Sequence, residues 1–105
     1  MRYPKKRYIL VYSKDEVNEI DLLRTLRRKI IELFGAFGIL RSSLRIFKID
    51  ANFFMIRTNH YFAGEVLFAL ALMDLQGKGF ITLKTSGTMA KLKTFLIDFS
   101  LKIIK

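Results

Sequence analysis

Hydrophobic positions along the chain switch between two spacings, alternation in steps of two that marks strands and a three-to-four-residue recurrence that marks helices. From Lys6 to Ser13, Tyr8, Leu10 and Tyr12 alternate with Ile9 and Val11, which predicts a first strand. The charged segment Lys14 to Glu19 reads as a turn or a helix start, with Ser13 and Glu16 spaced as a capping box and Asp21 as a second candidate cap. From Asp21 to about Phe37, Leu23, Leu26, Ile30, Phe34 and Phe37 fall on one helix face, and Gly35 and Gly38 are expected to end that helix. Leu44 to Ile49 and Phe53 to Thr58 predict two strands joined as a hairpin through Asp50-Ala51-Asn52.

Asn59 to Asp74 predicts a helix capped by Asn59 and apolar on every side, with Glu65 its only interior charge. Such a helix is either buried on several sides or covered by a partner protein. Gln76 to Gly79 turns the chain into a fourth strand, Phe80 to Thr85. The last helix follows the turn Ser86-Gly87-Thr88, with Leu92, Phe95, Leu96, Phe99 and Ile103 on its apolar face and Lys91, Lys93 and Lys102 off it.

The order strand, helix, strand, strand, helix, strand is the α+β, ferredoxin-like plan that RNA-recognition domains share, here with an added C-terminal helix. Those domains leave one sheet face open and stack bases on its aromatics. In this chain the first three strands carry apolar residues toward both faces, so both faces require cover. The first two helices can cover one and the last helix the other. RNA would then be held by strand ends, loops and helix starts through its phosphates, contacts that position without reading sequence.

Composition narrows the picture. With 105 residues and 51% hydrophobic content, the chain has room for one domain around one core, read here as residues 1–105 with residues 1–5 as a short basic arm. Nineteen Lys and Arg against 9 Asp and Glu give a net charge of +10, which calls for a polyanionic partner, nucleic acid or an anionic membrane surface. No apolar stretch reaches the length of a bilayer span, and the basic lead before the first strand is too short in its apolar run for a secretory signal. Cysteine is absent, so disulfides and thiolate metal sites are excluded, and a cytoplasmic setting is expected.

Enzyme chemistry finds little to work with. His60 is the single histidine, the carboxylates are scattered without metal-ligand spacing, and no GxxxxGK[ST] loop occurs. The segment Ser13-Lys14-Asp15-Glu16 after the first strand also lacks the glycine-rich phosphate loop of a small acylphosphatase. The arginines Arg24, Arg27 and Arg28 form a stripe that reads equally as a solvated helix face or as a binding surface. Ser86-Gly87-Thr88, with Lys91 one turn in, reads either as a plain helix cap or as a phosphate site at a helix start.

Four stretches carry a resemblance to a known family. They are Lys5-Lys6-Arg7-Tyr8-Ile9; Phe34-Gly35-Ala36-Phe37-Gly38; Ile56-Arg57 followed by Glu65-Val66-Leu67-Phe68-Ala69-Leu70; and Ser86-Gly87-Thr88-Met89 with Lys91 and Lys93 behind it. In this order and spacing, from Lys5 to Leu96, the chain resembles ribonuclease P protein component 2, the archaeal Pop-five-like subunit. It departs from the pattern at Thr85, where members often carry an aliphatic residue, and in its reduced termini.

The resemblance implies an RNA-binding, non-catalytic subunit of the ribonucleoprotein endonuclease that removes the 5′ leader from precursor tRNA. The RNA performs the hydrolysis and requires Mg2+, while the protein binds no cofactor. The implied partners are ribonuclease P RNA and ribonuclease P protein component 3, the latter in a heterotetramer, with precursor tRNA met indirectly and no membrane. Resemblance and charge together point to Lys5, Lys6, Arg7, Arg57, Lys84 and Lys91, with the backbone N–H groups of Ser86, Gly87 and Thr88, as the RNA-binding set. The competing readings are another ferredoxin-like RNA-binding protein, ribosomal or regulatory, and a plain protein-interaction module.

Overall fold

The computed structural model describes residues 5–50, 52–75, 77 and 79–104, and all of their side chains except those of 41, 75 and 99–104. Four strands, β1 (Lys6–Ser13), β2 (Arg45–Lys48), β3 (Phe53–Asn59) and β4 (Phe80–Ser86), form one antiparallel sheet in the order β2-β3-β1-β4. The helices are α1 (Glu19–Ser42), α2 (Ala63–Leu75, entered through a 3-10 turn His60–Phe62) and α3 (Met89–Ile104). This is the expected ferredoxin-like arrangement with its extra C-terminal helix. Among the described residues no helix is long and apolar enough to cross a membrane.

Both sheet faces are covered, as the two-sided apolar strands require. Ile9, Val11, Phe54 and Ile56 pack under α1 and α2 against Leu22, Leu26, Ile30, Val66, Leu70 and Met73. On the opposite face Leu10 and Met55 meet Leu92 and Leu96 of α3, with Phe47, Phe53 and Phe95 at the margin. Each fully buried aliphatic side chain contributes about 1.5–3 kcal/mol relative to exposure, so α3 is anchored chiefly by Leu92 and Leu96. The expected positions Phe99, Lys102 and Ile103 lie outside the described side chains, as residues 1–4 of the basic arm lie outside the described chain.

Several local expectations are corrected. Asn18, not Ser13 or Asp21, caps α1: its Oδ1 accepts the Asp21 N–H at 2.8 Å. Ser13 instead ends β1, and its hydroxyl donates to the Asp15 carbonyl. Leu22, not Leu23, faces the core, and Phe37 is 78% exposed. The helix does not stop at the glycines. Gly35, at φ 78° and ψ −179°, interrupts it, and a second helical piece continues to Ser42. Gly38 sits inside that piece, where a Cβ would lie 3.3 Å from the Phe62 ring. Asn59 makes no side-chain cap; it accepts from the Lys6 ammonium at 2.8 Å.

Candidate nucleic-acid interface

The pairing of β1 with β4 slips beside Leu10. Leu10 faces Lys84 and Val11 faces Thr82, which leaves Leu83 as an extra residue on β4. A bulge of this kind bends its strand and re-aims the side chains. Leu83 joins the apolar layer beneath α3, while Lys84 is exposed with its ammonium 4.8 Å from the centre of the Phe95 ring. That cation–π contact, worth about 0.5–1 kcal/mol at an exposed site, holds the lysine beside α3.

Beyond the bulge, β4 ends at Ser86 and the chain turns through Gly87 and Thr88 into α3. Both hydroxyls of the turn serve the backbone: Ser86 Oγ accepts the Thr88 N–H at 3.2 Å, and Thr88 Oγ1 accepts the Lys91 N–H at 3.4 Å. The turn is therefore a cap. It also lies in a cationic groove of about 690 Å³ whose lining includes Arg7, Lys84, Ser86, Gly87, Lys91 and Asp98. Arg7 reaches in from the start of β1, and a Cβ on Gly87 would come 3.8 Å from its Nη1. Three cations, one carboxylate and a helix start in one groove make a site suited to phosphate. The donor set is wrong for a divalent cation, which takes oxygen ligands.

The remaining expected residues do not line this groove. Thr88 caps α3 at its edge. Lys5 is exposed at the mouth of β1, where its carbonyl accepts the His60 N–H at 2.8 Å. Lys6 is half-buried on Asn59. Arg57 lies two strands from β4, half-buried, its guanidinium carbon 6.0 Å from the centre of the Phe47 ring and its Nε buried with no hydrogen-bond partner among the described residues. Arg24, Arg27 and Arg28 are exposed on the outer side of α1 beside Ile20 and Ile31.

Sequence reasoning missed Arg45, which stands directly opposite Arg57. The signal was present. A hairpin closing on Asp50-Ala51-Asn52 pairs Ile49 with Phe53, and four steps back that register brings Arg45 to Arg57. The apolar character of α2 also resolves into two parts. One face packs on the sheet and α1, and the other leaves Phe68 53% exposed. The Phe68 ring lies 6.4 Å from that of Phe34, and Phe37 and Leu40 are exposed further along α1.

Comparison with known proteins gives three results. The family model described as Rpp14/Pop5 family matches residues 5–97. No curated protein matches the sequence. Among solved structures, a chain in the cryo-EM structure of yeast ribonuclease MRP is similar in fold, with a TM-score of 0.65 and 12% identity over 98% of this chain and 97% of that chain.

Proposed function

The chain belongs to the Rpp14/Pop5 family, and from that premise we propose that it works as an RNA-bound protein subunit of a ribonucleoprotein of the ribonuclease P and MRP type. The observation that carries this reading is the family match across residues 5–97, which spans every strand and the three cations of the groove. The particle in this reading is ribonuclease P, acting on the 5′ leader of precursor tRNA in the cytoplasm. Its RNA holds the Mg2+ and performs the hydrolysis, while this chain contributes no reacting group.

The chain's own part is electrostatic and positional. Folding of a catalytic RNA crowds phosphates together, and that crowding limits how compact the RNA can become. Arg7, Lys84 and Lys91, converging on one groove, neutralise phosphates there without ordering new structure, because the bulge, the Phe95 contact and the α3 cap already fix the groove. Lys5, Lys6 and Arg57 extend the cationic surface across the same end of the sheet. Contacts of this class hold register and carry little sequence information.

A second surface is assigned to protein. Phe34, Phe37 and Phe68 are exposed aromatics on the α1 and α2 layer, away from the groove, and side chains of this type anchor protein interfaces. Ribonuclease P protein component 3 is the proposed occupant, in a heterotetramer with two copies of each chain.

Binding to ribonuclease P RNA across a potassium chloride series tests the electrostatic part. The logarithm of the affinity is expected to fall linearly with that of salt, with a slope of about −0.7 to −0.9 per phosphate contacted. A slope near zero would contradict it.

A further inference from the structure

Arg45 on β2 and Arg57 on β3 are directly opposite partners in an antiparallel pair, and the same row continues to Tyr8 on β1 and Ser86 on β4. Directly opposite residues share a face, and the neighbouring row, Phe47, Met55 and Leu10, belongs to the layer beneath α3. Both arginines therefore stand on the α3 side of the sheet. Like charges directly opposite one another destabilise a sheet. Among the described residues no carboxylate is seen paired with either arginine: the ion pairs there join Lys29 with Glu32 and Lys48 with Glu16.

Arg57 adds a second cost, since its Nε is buried without an acceptor among the described residues while its guanidinium is held near the Phe47 ring. Arg45 is exposed beside it. Two forked cations held side by side, one with an unmet donor, are matched by an anion with several acceptor oxygens.

We propose that Arg45 and Arg57 form a clamp for a phosphodiester group of RNA, extending the bound backbone from the α3 groove to the outer strand of the sheet. The proposal rests on the reading of the chain as an RNA-bound subunit. The row spans about 14 Å from Ser86 to Arg45 at ordinary strand spacing. Its β4 end, past the neutral Tyr8, opens on the groove of Lys84, Lys91 and Arg7, so cations stand at both ends of the row. A repeating polyanion fits such a track, whereas a single carboxylate from a protein would satisfy only the arginine end.

Arg45→Gln and Arg57→Gln separate this role from a structural one. Three quantities are measured: the melting temperature of the RNA-free protein, affinity for ribonuclease P RNA across a potassium chloride series, and affinity for protein component 3. Each variant is expected to melt at the same or a higher temperature, because the facing charges are relieved. Each is expected to bind RNA more weakly, with the salt slope reduced by about one phosphate contact. Arg57→Lys keeps the charge but not the fork, and should restore the slope without the full affinity.

Wild-type binding with a steep slope that both glutamine variants reproduce would overturn the clamp and leave the subunit reading standing. Absence of wild-type binding would overturn both. Loss of affinity for protein component 3, with RNA binding unchanged, would assign the arginines to a protein carboxylate and overturn the clamp. Should Arg57→Gln fail to fold, the exposed Arg45 carries the test by itself.

Discussion

Single residues decide the turns that hold the groove and the sheet in place, and glycine shows this best because its positions differ in cause. Gly79 has φ +72°, and a Cβ there would lie 2.9 Å from the Lys14 Cβ. Gly77 has φ +85° with open space around it, and Gly64 lies in α2 with open space and no such φ. Gly79→Ala should lower stability by about 1–3 kcal/mol from backbone strain and collision together. Gly77→Ala should cost less, and Gly64→Ala should be neutral or stabilise by up to about 1 kcal/mol. Urea unfolding of the three variants checks the order; equal effects would mean that the turn before β4 does not constrain the fold as described. At this scale the sequence was legible in part. Ser86 and Thr88 read correctly as candidate caps, because hydroxyls two and three residues before a backbone N–H are well placed to accept from it. The cap at Asn18 did not, because Ser13 and Asp21 present equally good oxygens and only the end point of β1 decides among them.

At the scale of elements, the four strands were readable from alternation of apolar residues and the three helices from their three-to-four-residue spacing. What escaped was the continuation of α1. A glycine after an apolar run is the ordinary sign of a helix end, and Gly35 does leave helical geometry. The chain resumes the helix because Gly38 lets it approach Phe62 closely, a tertiary contact that no local pattern contains. One consequence is the exposed surface of Phe34, Phe37 and Leu40, which a helix ending at Gly35 would not present in this way. Phe68→Ala should leave the free chain folded, since the ring is 53% exposed. It should weaken binding to the proposed partner, protein component 3, by about tenfold or more, the scale of an aromatic anchor at an interface. Isothermal titration of the two proteins measures this, and an unchanged affinity would remove α2 from the partner surface.

For the whole molecule, the two kinds of surface lie on different layers. The body is a flat slab, 44 × 36 × 20 Å, with exposed aromatics on the α1 and α2 layer and cations at the groove and sheet end facing α3. A chain so divided can bind protein and RNA together, which is what a subunit inside a ribonucleoprotein must do. The fold class and the net charge of +10 were both legible before any coordinates, because element order and composition survive without tertiary detail. The meeting of Arg7, Lys84 and Lys91 was legible only as a set of basic residues. Their convergence depends on the bulge at Leu83, and a one-residue slip in pairing leaves no periodic trace.

If the chain supports a catalytic RNA as proposed, its effect belongs in precursor-tRNA cleavage by ribonuclease P RNA with protein component 3 at limiting Mg2+. Adding the chain is predicted to lower the Mg2+ requirement and speed cleavage, because its cations replace part of the counterion demand of the folded RNA. Identical cleavage with and without the chain, in the presence of folded component 3, would contradict the account.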